Sequence, residues 1–195
     1  MQPLEKPRYT PEEYLALERA AEFRSELIDG EIVAMSGASA NHNVIAGNCF
    51  AAIHYQLRGR PCRIFMADMR VRVDSAGLYT YPDLTGLCGE PIFDDEQADT
   101  LLNPGLLVEV LSPSTEAYDR GEKFALYRRL DSLVDYVLVS QDKMRVEHYR
   151  RRNEQWVLTV YEDPAASLVL DSLAATLPIG EIYDKVLPAR EEPSS

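Results

Sequence analysis

The sequence predicts a single mixed α/β domain built on hairpins rather than a doubly wound parallel sheet. A length of 195 residues fits one domain with a sizeable core. In SELIDGEIV, Asp29-Gly30 separates two short apolar runs, the pattern of a tight β-hairpin. Late in the chain, strand-like runs over 135–140, 145–149 and 155–161 follow one another with no helical pattern between them.

The elements follow in order. Thr10, Pro11 and Glu13 supply a capping hydroxyl, a first-turn proline and a glutamate three residues after the cap, so a helix should span 10–21. After the hairpin a second helix is expected over 41–57, ended by Gly59 and Pro61. Strands are expected over 63–66, 69–73, 79–85 and 106–111. Between the last two, Glu90, Asp94, Asp95, Glu96 and Asp99 read as a solvated acidic loop. Beyond Ser112-Pro113-Ser114 a helix should run over 118–130, before the late strands. Residues 1–186 form the domain, and 187–195 are a polar tail expected to fray.

Composition bounds the function. An apolar content of 46% with 27% charged residues is that of a soluble globular protein. No apolar run reaches the roughly 18 residues of a membrane span, and MQPLEKPRYT lacks the apolar core of a leader. Cys49, Cys62 and Cys88 form no CxxC pair and read as reduced thiols, which with the missing leader points to the cytoplasm. A net charge of −12 argues against tight nonspecific DNA binding while leaving room for a local groove. The clusters Arg58/Arg60/Arg63, Arg70/Arg72, Arg128/Arg129 and Arg150/Arg151/Arg152 read as solvated faces and turns.

Two acids break this plain pattern. Glu109 stands inside LLVEVL, and Asp83 follows Pro82 inside TYPDLTGL. A carboxylate in an apolar strand is expensive to ionise without compensation, and two converging ones repel. A divalent cation would resolve the conflict, and two carboxylates with carbonyl and water oxygens suit Mg²⁺ or Mn²⁺. In YDRGEKFALYRR, Lys123 and Tyr127 lie at i and i+4, so one helical face could bring both to Glu109. The plain alternatives are an exposed lysine and a core tyrosine.

In SELIDGEIVAMSGASANHNVI, YPDLTGL, LLVEVLSPSTEAYDRGEKFALYRR and VDYVLVS, in that order, the chain resembles the PD-(D/E)XK nuclease superfamily, and within it the restriction-endonuclease-like Uma-two family. The likeness covers roughly 10–150. It implies a central mixed β-sheet flanked by helices, with an N-terminal helix and hairpin, and Mg²⁺-dependent cleavage of DNA. Carried over, the first acid is Asp83 and the second is Glu109, together the metal pair. The lysine departs from the pattern: the ExK position is Leu111, and Lys123 on the next helix would take the role. Several nucleases of this fold are homodimers, and the region 135–161 could form such a face.

Two further residues belong with the motifs. Glu26 could supply a third carboxylate, or could face water or pair with Arg24. His42, at a helix start, should have a depressed pKa there and could contact a phosphate or position water, or simply act as a cap. A rival reading keeps the scaffold without the chemistry. Asp83 would cap a turn and Glu109 pair with Arg70 or Arg72, leaving a degenerate nuclease fold that binds nucleic acid or a protein without cutting.

Overall fold

The structure is a computed structural model, and it describes residues 7–73 and 77–187. Helix α1 (Pro11–Ala20) opens on a capping box: the Glu13 amide donates to Thr10 Oγ1 at 3.2 Å, and the Thr10 amide to the Glu13 carboxylate at 2.9 Å. Strands β1 (Ser25–Ile28) and β2 (Glu31–Ala34) follow, joined by Asp29 and Gly30 at φ 48° and 79°. Positive φ at both positions is what a type I′ hairpin requires. Helix α2 (Ala40–Gln56) is capped by Ser39, whose hydroxyl accepts from the His42 amide at 3.0 Å.

Six short strands come next: β3 (Cys62–Met66), β4 (Arg70–Val73), β5 (Leu78–Thr80), β6 (Leu84–Cys88), β7 (Thr100–Leu101) and β8 (Leu106–Leu111). The expected helix then arrives in three pieces, α3 (Glu116–Tyr118), a π-helical turn (Asp119–Lys123) and α4 (Phe124–Tyr127). It stops short of residue 130. Strands β9 (Asp135–Ser140), β10 (Val146–Arg152), β11 (Gln155–Tyr161), β12 (Ser167–Leu170) and β13 (Ala175–Pro178) lead to α5 (Ile179–Ile182). The sequence reading contained neither β7 nor anything from β12 onward. The tail at 188–195 lies outside the described residues.

Among the described residues, six strands form a mixed sheet in the order β11-β10-β9-β8-β6-β3, parallel only between β8 and β9. Five others form the order β2-β1-β5-β4-β7, and β12 pairs with β13. Strand β8 is the hub. Leu106, Val108 and Val110 face one core, with Ile45 and Ile53 of α2 and Leu168 and Leu177 of the last hairpin. Leu107 and Leu111 face a second core, with Phe124 and Tyr127 of α4 and Tyr136 and Leu138 of β9. Each fully buried aliphatic side chain contributes about 1.5–3 kcal/mol. The alternation therefore holds β8 in register and turns Glu109 toward α4.

Four expectations are corrected. The strand over 79–85 is two strands: β5 belongs to the five-stranded sheet and β6 to the six-stranded one. Pro82 has no N–H for a ladder, so the chain changes sheets there. Cys62 and Cys88 are not free thiols. They are directly paired across β3 and β6, with Cα atoms 3.9 Å apart, and are joined as a disulfide, while Cys49 is free and buried.

Several arginines in the basic clusters are structural clamps rather than solvated charges. Arg151 donates to the carbonyls of Leu130 at 2.8 Å and Arg128 at 2.9 Å, and Arg60 and Arg63 donate to the carbonyls of Ala174 and Gly89, each at 3.2 Å. The acidic loop is partly tied down as well. Arg19 holds Asp95 and Asp99 at 2.8 Å each, Arg70 lies 3.5 Å from Asp99, and Arg72 pairs with Asp94. Glu90 and Glu96 are exposed, as expected.

This clamp has a pH signature. The hydrogen bond from Arg19 lowers Asp99 from 3.8 to about 2, against the raising effect of burial. A depressed carboxyl contributes stability above its unfolded pKa of 3.8 and loses it as pH falls through about 2. Arg19→Ala should flatten that acid limb in urea unfolding curves, with a neutral-pH loss of no more than about 1 kcal/mol because the pair is partly exposed. An unchanged acid limb would refute the assignment.

Candidate active site

The site forms where β1 of one sheet, β8 of the other and the π-helical turn meet. Lys123 is its centre. The ammonium, buried from solvent, lies 3.0 Å from Glu109 Oε1, 3.4 Å from Glu26 Oε1 and 3.6 Å from Asp119 Oδ1. Glu109 also accepts from the Tyr127 hydroxyl at 2.9 Å. Glu26 accepts from the Tyr81 amide at 3.1 Å and from the Thr80 hydroxyl, which sits 3.3 Å from Tyr127 Oη. Among its polar neighbours Glu26 has neither water-facing exposure nor Arg24, which pairs with Asp68.

The π turn helps explain the convergence. Its wider winding brings Asp119 and Lys123 inward together, both buried, with Tyr127 one turn on. Gly121 in its middle weakens the α-helical preference locally. The sequence reading missed Asp119, although its i, i+4 spacing to Lys123 was a usable signal. It also missed Thr80, for which no signal existed.

Asp83 stands at the sheet change, just before β6. The β6–β8 register pairs Leu84 with Val108, so its next step sets Asp83 opposite Glu109. Asp83 Oδ2 accepts from the Val110 amide at 2.7 Å and lies 3.2 Å from His42 Nε2. Asp83 is thus a bridge between β8 and α2, not merely the cap of a turn. Arg70 and Arg72, the alternative partners for Glu109, are engaged elsewhere: Arg70 with Tyr81, Thr100 and Asp99, and Arg72 with Asp94.

The electrostatics follow from burial and charge count. Burial pushes Glu109 up from 4.5 to about 8, with Lys123 pulling the other way. Burial alone would lower Lys123, but Glu109, Glu26 and Asp119 hold it well above its ordinary value. Asp119 is raised by burial, again against Lys123. The expected depression of His42 is not found. Burial acts in that direction, but the hydrogen bond and charge of Asp83 outweigh it and raise the imidazole. A full carboxylate is a stronger partner than the partial charge of a helix end.

Four carboxyl groups, those of Glu26, Asp83, Glu109 and Asp119, thus gather around one ammonium and one imidazole. No three His, Cys, Asp or Glu side chains among the described residues form a ready metal cage. Tyr118, next to Asp119, adds a buried hydroxyl with no hydrogen-bond partner among the described residues.

The chain is similar to several known proteins. The family described as "Uma2: Putative restriction endonuclease" matches residues 11–180. The uncharacterized protein sll1609 of Synechocystis is 40% identical over 151 residues, covering 77% of this chain and 85% of its own. A second Synechocystis protein, slr1290, is 36% identical over 178 residues, covering 91% of this chain and 92% of its own. A crystal structure from Anabaena variabilis, described as a putative nuclease belonging to DUF820, superposes with a TM-score of 0.76 at 24% identity. It covers 91% of this chain and 99% of that one, and it shows the fold.

Removing Lys123 should expose the cost of the buried carboxylates. Lys123→Ala leaves them without their ammonium, at a loss of about 3–5 kcal/mol. Glu109 without Lys123 titrates still further above 4.5. Its contribution is therefore full below 4.5 and lost as pH rises through its folded pKa, so the deficit should grow from acid to alkaline pH in denaturant melts. A pH-independent deficit would contradict this. Tyr118→Phe, by contrast, removes an unsatisfied group and should stabilise by on the order of 1 kcal/mol. A clear drop in melting temperature would reveal a partner for that hydroxyl.

Proposed function

The chain belongs to the Uma2 family, and on that footing we propose that it is a Mg²⁺- or Mn²⁺-dependent endodeoxyribonuclease that hydrolyses phosphodiester bonds in DNA. The observation that carries this reading is the buried contact of Lys123 with Glu109 and Glu26, beside Asp83 on the adjoining strand end. Asp83 and Glu109 would hold the ion. When bound, it would polarise a phosphoryl oxygen and lower the pKa of an attacking water.

The protein's own groups have distinct tasks. The Lys123 ammonium offsets negative charge developing on the phosphoryl group, and it is held protonated by three carboxylates. Tyr127 fixes one oxygen of Glu109, and Glu26 and Asp119 fix the lysine. His42 orients Asp83 from α2. A lysine supplied by the helix is thus close to the same carboxylate that an ExK strand would serve. In this reading the protein is a homodimer that meets DNA in the cytoplasm, where the Cys62–Cys88 bridge would be under reductive pressure. No helix among the described residues is long and apolar enough to cross a membrane.

One observation favours the rival, a degenerate module that binds nucleic acid or a protein without cleaving. Lys123 already neutralises Glu109 at 3.0 Å, so the ion must share that carboxylate with the ammonium. Calorimetry of Mn²⁺ with plasmid nicking in parallel separates the two. Asp83→Ala and Glu109→Ala should lose both signals while staying folded, and Lys123→Ala should bind metal but cut about 10²-fold more slowly. Wild-type protein that binds no Mn²⁺ would hand the site to the rival.

A further inference from the structure

Cys62 and Cys88 face one another at one end of the β3–β6 ladder and are joined there as a disulfide. The two sulfurs stand in different surroundings. The Cys62 side chain packs against the core that holds α2, whereas Cys88 is exposed. Exchange needs a thiolate to reach one sulfur while the other leaves, so an exposed partner beside a half-buried one sets the order of attack. Cys49 is the opposite case. It is fully buried, and burial pushes its thiol up to about 12, which leaves it inert.

The bridge holds a weakly anchored strand. β3 is an outer strand of the six-stranded sheet, with β6 as its neighbour, and no described strand pairs with its other edge. Of its five residues only Ile64 is buried, whereas all six of β8 and all six of β9 are. A strand with so few buried apolar side chains opens locally at low cost. The bridge spans a sequence separation of 26, a stretch that contains β4, β5 and the change of sheets at Pro82. It pins β3 to β6 at one end. At the other end Met66 pairs with Leu84, next to Asp83 of the candidate site.

We propose that Cys62–Cys88 is a thiol–disulfide exchange site, opened by a dithiol and reclosed by a small disulfide, whose state sets how firmly β3 is held. One thiolate of the dithiol bonds to Cys88 Sγ as the Cys62–Cys88 bond breaks. Cys62 leaves as a thiolate and takes up the proton that the attacking thiol lost. The second thiol of the reductant then displaces Cys88, which takes up the second proton. Two electrons and two protons pass to the protein, and the reductant becomes a disulfide. Oxidised glutathione reverses both steps and leaves as two thiols. Opening the bridge returns loop entropy to the unfolded chain and leaves β3 on its backbone ladder and Ile64.

The full chain treated with dithiothreitol in its native state, then alkylated, should carry two labels by mass spectrometry, at Cys62 and Cys88. Cys49 should stay unlabelled and the circular dichroism spectrum unchanged. Oxidised glutathione should restore the bridge. Reduction should lower the melting temperature by on the order of 10 °C and speed amide exchange over 62–66 about tenfold. A Cys62→Ser/Cys88→Ser double variant should match the reduced protein and ignore dithiothreitol. With glutathione disulfide, Cys62→Ser should form the mixed disulfide about tenfold faster than Cys88→Ser. A bridge that opens only after unfolding in urea, or thiols that oxidised glutathione cannot close, overturns the exchange site. Equal melting and amide exchange in the two states overturn the hold on β3, and equal rates for the two single variants overturn the order of attack. None of these readouts is cleavage. Protein that exchanges without nicking DNA counts against the nuclease alone, and protein that nicks with an inert bridge counts against this site alone.

Discussion

The fold turns on the cost of placing a carboxylate in the middle of β8. Glu109 is surrounded along its strand by leucines and valines that must be buried to hold two cores together. In such a place an isolated carboxylate would simply take up a proton. The structure meets that cost from two directions, the Lys123 ammonium from the π turn and the Tyr127 hydroxyl from α4, while the like charge of Asp83, bound to the next backbone amide, adds to it. Each of these elements is anchored by apolar packing rather than by the polar contacts themselves. Phe124 and Tyr127 pack on Tyr136, and Ile45 and Ile53 of α2 pack beneath Val108. The site is therefore positioned by cores on both faces of one strand.

Much of this was legible in the sequence, for identifiable reasons. Asp29-Gly30 admits few alternatives to a tight hairpin, and the runs at 106–111, 135–140 and 155–161 are strands because their patterns match the two environments of the sheet. The spacing of Lys123 and Tyr127 does bring both side chains to Glu109. What failed was what depends on partners distant in sequence. Nothing local shows that Tyr81-Pro82-Asp83 passes between two sheets, or that Cys62 and Cys88 face one another across β3 and β6. His42 was read from its helix alone, whereas its protonation depends on Asp83, 41 positions away.

The charge distribution shows the same division between local and distant causes. A run of acids at 90–99 looks like a solvated loop because its cationic partners, Arg19, Arg70 and Arg72, belong to other segments. The carboxylate of Asp135, fully buried, is likewise explained only by remote groups: His148 at 2.7 Å, and the Ser172 amide and hydroxyl at 2.8 and 2.6 Å. That cluster ties the β12–β13 hairpin to the end of β9. Net charge alone therefore says little about the site. The charges that matter are the few buried around Lys123, where low accessibility makes each one count.

A lysine supplied from a helix rather than from the strand of Glu109 has a structural consequence. A strand lysine two residues on from the carboxylate would be held by the ladder itself. Lys123 depends instead on how the π turn packs over the second core, and so on Phe124, which stacks at 5.1 Å on Tyr136 and meets Trp156 of β11 edge-on at 5.3 Å. The chain of contact runs from the ammonium through the turn and Phe124 to the outermost strand of the sheet. Position at the site is thereby coupled to the packing of β11, whose outer edge no described strand pairs with. Whatever fixes that strand also steadies the turn that holds the lysine.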